Sequence, residues 1–208
     1  MSDLGRVGIL ISGRGSNMVA LVDAMQSGEV PADPVVVVSN IPEAAGLSTA
    51  RQRGVATAVV DHKAVKPRRR HEERVIEILR EKRVELVCLA GYMRLLSSHM
   101  VEAFRGKILN IHPSLLPAFP GLHAQKQALD HGVRVSGCTV HLVDEECDHG
   151  PILLQAAVPI LDEDTEDSLA ARILEQEHRI YPQAVALYFQ RRLVVEGRRI
   201  RAVARATS

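Results

Sequence analysis

Residues 6–12, RVGILIS, pass directly into residues 13–17, GRGSN, and this stretch decides the fold. The first part is short and rich in β-branched residues, which predicts a buried strand. Two glycines then permit a tight turn, and apolar residues at positions 18, 21, 22 and 25 have helical spacing. A buried strand that turns directly into a helix indicates an α/β protein.

The alternation of strand and helix continues outward from this unit. The patterns predict strands at 35–39, 56–61, 86–90 and 107–112, with helices at 44–53, 69–82 and 97–104 between them. After residue 115 the pattern changes to a proline-rich loop, a helix at 124–131, strands at 136–143 and 152–160, a helix at 165–188 capped by Asp164 or Thr165, and a hairpin turning at Glu196–Gly197. Regular alternation is typical of a parallel sheet with right-handed crossovers.

We therefore predict an α/β fold in which residues 1–208 form a single domain. Its Rossmann-like sheet should be parallel in the N-terminal half and mixed in the C-terminal half, with helices on both faces. We see no internal repeat, linker or low-complexity tract in the 208 residues.

Composition excludes several classes of protein. The net charge of +1 gives no general reason to bind nucleic acid or a membrane, and 3% aromatic residues disfavour a base-stacking surface. No apolar run approaches the roughly 18 residues of a membrane helix, and no export signal precedes the first strand. The three cysteines lack paired spacing. We expect a cytoplasmic protein that is a monomer or a homodimer.

The glycine-rich loop at 13–17 is the first candidate site. Its glycines let the backbone approach a ligand, and the helix that follows directs N–H groups towards an anion. The loop matches neither common nucleotide signature, because Met18 occupies the third glycine position of the dinucleotide fingerprint and no Lys-Ser/Thr pair follows. A phosphate site and an ordinary tight turn both remain open.

The strand ending at Asn110-Ile111-His112 is the second candidate site. Residues two apart on a strand share a face, and open α/β sheets bind ligands at the carboxyl ends of their strands. Asn110 can donate to a developing oxyanion, and His112 can carry a proton near neutral pH. The alternative is a pair of polar residues satisfied within the fold.

The acidic loop at 144–151, DEECDHGP, offers a carboxylate that would orient His112, although a solvated hairpin loop has the same composition. A metal site built from His112, His123, His141, His149 and Asp148 lacks any recognised ligand spacing, so we expect none. The basic run at 66–70 is interpreted as a solvated helix start.

Five segments together resemble the phosphoribosylglycinamide formyltransferases, the folate-dependent enzymes of purine synthesis. They are ISGRGSN at 11–17, LAGYMRLLS at 89–97, NIHPSLLPAFPGLHAQKQAL at 110–129, DEECDHGPIL at 144–153 and EQEHRIYP at 175–182. The resemblance is colinear from residue 7 to about residue 193. It implies transfer of a formyl group from 10-formyltetrahydrofolate, as co-substrate, to the amine of glycinamide ribonucleotide, without a metal.

The resemblance also implies roles for individual residues. The catalytic residues would be Asn110, His112 and Asp148. The nucleotide would be bound by Gly15, Ser16, Asn17 and Glu177, with its phosphate side in the N-terminal half and the folate side in the C-terminal half. The folate would contact Arg68, Met93, Arg94, Leu95, Leu96, Asn110, Asp144, Glu145, Glu146, Cys147 and Asp148.

Two alternatives remain at this stage. One is another enzyme that uses formyl-folate, either a deformylase or a transferase acting on charged tRNA. The first normally carries an additional N-terminal domain and the second an additional C-terminal domain, so we expect neither. The other alternative is a non-catalytic nucleotide-binding module.

Overall fold

The computed structural model describes residues 4–204, and the chain divides into two compact units, residues 1–109 and 110–208. The first unit contains β1 (Gly5–Ile11), α1 (Ser16–Gln26), β2 (Ala32–Ser39), α2 (Ala45–Gln52), β3 (Thr57–Val59), α3 (Arg68–Glu81), β4 (Leu86–Leu89) and α4 (Ser98–Ala103). Strand β5 (Ile108–His112) spans the division. The second unit continues with α5 (Ala124–Asp130), β6 (Val135–Leu142), β7 (Ile152–Pro159), α6 (Glu166–Gln190), β8 (Arg191–Glu196) and β9 (Arg199–Ala204).

The first unit is built on a parallel sheet with the strand order β3-β2-β1-β4. The central strand β1 is buried almost throughout, and Val7, Ile9 and Ile11 have no exposed surface. A parallel strand covered on both faces needs no polar alternation, which explains the continuous apolar run in the sequence. The predicted parallel N-terminal half is confirmed.

The second unit contains a mixed arrangement of strands in the order β6-β7-β9-β8. Strands β6 and β7 are antiparallel, β7 and β9 are parallel at Ile152 and Arg199, and β8 and β9 form an antiparallel hairpin. The predicted mixed C-terminal half and the α/β class are therefore confirmed.

Helix α6 is the longest helix of the second unit, and its start follows the predicted cap. Thr165 is the N-cap residue, and its side chain accepts from the backbone N–H of Ser168, whose own side chain accepts from the Thr165 N–H in return. Asp164 forms an ion pair at 2.7 Å with Arg172, eight residues further along the chain. The capping contacts satisfy the N–H groups of Thr165 and Ser168 at the start of the helix.

Some predicted boundaries are wrong by a few residues. Strand β3 covers only Thr57–Val59, because only these three residues pair with β2. The hairpin turns at Gly197 and Arg198 rather than one residue earlier, since Glu196 still pairs with Arg199. Within residues 4–204, no helix is long and apolar enough to cross a bilayer.

Candidate active site

The end of β5 and the acidic loop of the second unit meet in one cluster. His112 Nδ1 lies 3.3 Å from Asp148 Oδ2, and Asn110 Nδ2 donates to Asp148 Oδ1 at 3.4 Å. Asn110 and His112 lie two residues apart on the same strand, so both side chains reach the same carboxylate. The structure thus brings together the three residues predicted to be catalytic.

The ring of His112 is buried and faces an acceptor on each side. Its Nε2 donates to the carbonyl oxygen of Phe119 at 2.8 Å, because a carbonyl can only accept. The Nδ1 atom then faces the Asp148 carboxylate, where a second proton would have an acceptor. Burial lowers the pKa of His112, against the opposing effects of the Phe119 carbonyl and the Asp148 charge. The neutral ring can therefore gain a proton at a position already facing a carboxylate.

Asp148 remains ionised because of the donors around it. Burial raises the pKa of this carboxyl, but the His141 ring in its protonated form, the backbone N–H of Gly121 and the His112 ring in its protonated form outweigh burial and lower the pKa to about 2. The Gly121 N–H donates to Asp148 Oδ2 at 2.8 Å. The side chain of Asp148 is only 11% exposed, and the carboxylate thus keeps its charge through fixed hydrogen bonds.

His141 determines the orientation of the Asn110 amide, and our sequence analysis named it only as a rejected metal ligand. Its Nδ1 donates to the Leu142 carbonyl at 2.9 Å, so Nε2 accepts from Asn110 Nδ2 at 3.2 Å. His141 Nε2 lies only 3.8 Å from Asp148 Oδ1. One N–H of Asn110 can therefore point between these two acceptors, and the other can donate to a substrate oxygen. The signal in the sequence was a histidine near the end of a buried strand.

The proline-rich loop after β5 is held by polar side chains from β6 and β7. Thr139 donates to the Ser114 carbonyl at 2.7 Å and accepts from the Leu116 N–H at 3.0 Å. Gln155 donates to the Leu116 carbonyl at 2.9 Å. This network fixes the loop whose later residue, Phe119, accepts a hydrogen bond from His112 through its carbonyl oxygen.

The acidic loop presents its other predicted folate contacts to solvent. Glu145, Glu146 and Cys147 are exposed. Asp144 is less exposed, accepts from the Glu146 N–H at 3.1 Å and pairs with His149 at 2.8 Å. Burial is the main factor that raises the pKa of Cys147, followed by the neighbouring Asp148, which makes this thiol a poor nucleophile.

In the first unit, the glycine-rich loop leads directly into the start of α1. Gly15 is the N-cap of α1 with φ 74°, a left-handed conformation that suits glycine. As N-cap residue it offers no side-chain oxygen to the first N–H groups of the helix. Gly46 of α2 packs against this loop, since a Cβ there would lie 3.1 Å from the Gly13 carbonyl oxygen. The loop is therefore fixed from both ends.

The carboxyl ends of three strands of the first unit are joined by hydrogen bonds. Ser12 after β1 donates to Asn40 Oδ1 after β2 at 2.5 Å, and it accepts from the Met93 N–H at 2.8 Å. Neither Ser12 nor Asn40 was predicted as a site residue. Their position directly after buried strands was the available signal.

The residues predicted to contact the folate are divided between the two units. Arg68 and residues 93–96 lie in the first unit, where the Arg68 guanidinium donates to the Leu95 carbonyl. Met93 and Leu95 are exposed apolar side chains, at 69% and 64%. The buried carboxylate of Glu72 accepts from Arg68 and from the N–H and hydroxyl of Ser97. It therefore connects the start of α3 to the residue that follows 93–96.

Glu177, predicted to bind the ribose, is a buried residue of α6 in the second unit. Burial and the Glu177 charge raise the pKa of Cys138 on β6 to about 12, so the carboxylate lies near that strand. Across the described residues 4–204, no group of three or more His, Cys, Asp or Glu side chains has the arrangement of a metal site.

Comparison with known proteins identifies relatives that share one family. A family model described as formyl transferase matches residues 5–185. The chain is 42% identical over 185 residues to phosphoribosylglycinamide formyltransferase of Escherichia coli strain K12, covering 89% of this chain and 87% of that protein. It is 50% identical over 184 residues to the trifunctional purine biosynthetic protein adenosine-3 of Drosophila melanogaster, covering 88% of this chain and 14% of that protein. The chain thus spans only a small part of such trifunctional relatives.

The fold also matches a solved structure along nearly its full length. Glycinamide ribonucleotide transformylase 1 from Symbiobacterium toebii is 51% identical and superimposes with a TM-score of 0.95, covering 98% of this chain and 96% of that chain.

Proposed function

The chain belongs to the formyl transferase family and, within it, to the phosphoribosylglycinamide formyltransferases, and from this premise we propose that it transfers the formyl group of 10-formyltetrahydrofolate to the amine of glycinamide ribonucleotide. The products are formylglycinamide ribonucleotide and tetrahydrofolate, a step of purine synthesis. Relatives named as transferases favour this activity over the deformylase considered above. The family match includes parts of both units, which supports one formyltransferase domain.

The observation that carries the proposal is the cluster of Asn110, His112 and Asp148. In the reaction, the neutral amine attacks the formyl carbon and a C–N bond forms, which leaves an oxyanion. The amine nitrogen then loses a proton, the folate nitrogen gains one, and the bond between that nitrogen and the formyl carbon breaks. Neither a covalent enzyme intermediate nor a metal is needed for this sequence.

We assign the oxyanion to the N–H of Asn110 that does not point towards His141 and Asp148. Removing one such donor typically lowers turnover by about 10²–10³-fold. His112 would contribute a second donor if substrate binding broke the hydrogen bond from its Nε2–H to the Phe119 carbonyl. The same Nε2–H would then donate to the oxyanion.

Asp148 has two roles in this mechanism. Its carboxylate faces Nδ1 of His112, and it thereby stabilises the ring when the ring holds a proton. It would also accept a hydrogen bond from a water that relays the proton lost by the amine.

Substrate binding is assigned by family resemblance and by local chemistry. Gly15, Ser16 and Asn17 would bind the phosphate through the start of α1, and Glu177 would accept from the ribose hydroxyls. The folate would contact Arg68, residues 93–96 and the acidic loop. The exposed apolar side chains of Met93 and Leu95 suit a flat ring system. Cytoplasmic location, a monomeric or homodimeric state and independence of metals remain predictions.

The test is an absorbance assay of formyl-folate consumption with and without glycinamide ribonucleotide. The proposal predicts consumption only when the nucleotide is present, with formation of one formylated nucleotide per folate. Consumption without the nucleotide would indicate a deformylase. No consumption in either case would indicate a non-catalytic binding module.

A further inference from the structure

The C-terminal hairpin contacts the loop that carries Asp148. Arg198 lies in the turn of the hairpin, and its guanidinium donates through Nη2 to the His149 carbonyl at 2.7 Å. The same guanidinium donates through Nη1 to Nε2 of the His149 ring. One side chain of the hairpin therefore holds both the backbone and the side chain of the residue that follows Asp148.

His149 transmits this contact to the other end of the loop. Its Nδ1 lies 2.8 Å from Asp144 Oδ2, and a carboxylate can only accept, so Nδ1 carries the hydrogen. Nε2 is then the acceptor that Arg198 requires, and a single tautomer satisfies both contacts. Asp144 also accepts from the Glu146 N–H at 3.1 Å. The hairpin is thus connected through His149 to the first turn of the acidic loop.

The backbone around Asp148 needs such support. Asp148 has φ 51°, a left-handed conformation that is unfavourable for a residue with a Cβ and persists where neighbouring contacts determine it. On the other side of His149, a Cβ at Gly150 would overlap the Leu142 carbonyl, so the chain there lies directly against β6. Between these two points, the contacts of Arg198 and Asp144 hold His149.

We propose that the β8–β9 hairpin is a positioning element for the reaction, in which Arg198 and His149 hold Asp148 in the orientation that faces His112. This inference rests on the proposed function, since it assigns Asp148 a part in catalysis. Arg198 and His149 are positioning residues, because they act through Asp148. A small displacement of a catalytic group is enough to lower turnover.

The experiment compares Arg198→Met with Arg201→Met in the full chain. Both changes remove an arginine from the same hairpin, but Arg201 pairs with Glu196 inside the hairpin. Because exposed pairs are individually weak, kcat of Arg198→Met should fall only about fivefold, with the KM for the nucleotide and the melting temperature little changed. Arg198→Lys, which keeps a donor, should recover part of the loss, and Arg201→Met should remain within about twofold of the wild type.

A double variant tests the connection through His149. His149→Ala should lower kcat by a similar factor, and Arg198→Met with His149→Ala should lose no more than the more severe single variant, because both changes break one chain of contacts. Unchanged kcat in Arg198→Met, an equal loss in Arg201→Met, or additive losses in the double variant would overturn the inference. These results are read against nucleotide-dependent transfer by the wild type, whose absence would instead refute the proposed function.

Discussion

Replacing Asp148 by Asn removes the charge of the site with the smallest change in shape. Asn is among the residues that best tolerate the left-handed backbone found at this position, where φ is 51°. The Gly121 N–H can still donate to the amide oxygen. The substitution therefore tests the carboxylate rather than the conformation of the loop.

The surrounding groups lower the pKa of Asp148 from 3.8 to about 2. A shift of this size means that the folded site favours the charged form over the neutral form by about 2 kcal/mol, which is a contribution to stability. The loss of rate comes instead from the removal of general acid–base support, commonly about 10²–10⁴. We expect kcat of Asp148→Asn to fall by at least about 10²-fold.

The assay is steady-state turnover at 25 °C, combined with thermal unfolding and equilibrium binding of the folate. The melting temperature should fall by no more than about 8 °C for a chain of this size, so the variant remains folded during the assay. Folate binding should be retained, because the proposed folate contacts do not depend on one side chain. Asp130→Asn is the control: it makes the same chemical change in an exposed ion pair with Lys126, and turnover should be unaffected. Turnover of folded Asp148→Asn within about threefold of the wild type would refute the assigned role.

Three further predictions test other parts of the molecule. Asn17→Ala should raise the KM for the nucleotide by about tenfold, as expected for the loss of one hydrogen bond to a charged group, while the KM for the folate changes little. Equal changes of the two KM values in steady-state kinetics would locate the phosphate elsewhere. Turnover at limiting nucleotide should rise from about pH 6 to pH 8 as an amine with a pKa near 8 loses its proton, and a flat profile would contradict rate-limiting attack by a free amine. Burial lowers the pKa of His71 below 6.5, so the folded state favours the neutral ring. The resulting stabilisation is fully present above pH 6.5, and it is lost as the pH falls through the lowered pKa of the folded state. Calorimetry should therefore show a smaller loss of melting temperature between pH 7 and pH 5 in His71→Phe than in the wild type, and identical losses would exclude His71 as a cause.

Much of the fold was predictable because it is encoded in consecutive residues. The buried strands β1, β2 and β4 are continuous apolar runs, and Thr165 precedes its helix with the side chain that a cap requires. The hairpin was also predicted, although its turn was placed one residue early. Turn position depends on which residues of two strands pair, and a run of alternating residues does not specify that pairing.

The candidate site was predictable only in part. Asn110 and His112 stand out because they end a buried strand two residues apart. Asp148 was one of several acids in its loop, and family resemblance rather than spacing distinguished it. The structure adds the Phe119 carbonyl on His112, the Gly121 N–H on Asp148 and the His141 ring on Asn110.

By itself, the sequence determined the α/β class, the order of the elements, the glycine-rich turn and the strand that carries Asn110 and His112. These features depend on periodicity and turn chemistry within about ten neighbouring residues. Only the tertiary structure decided that the Gly121 N–H donates to Asp148, that His112 faces the same carboxylate, and that Arg198 holds His149. The reason is physical: the direction of a side chain and the donors that surround it depend on segments distant in the chain, which become neighbours only when the elements pack.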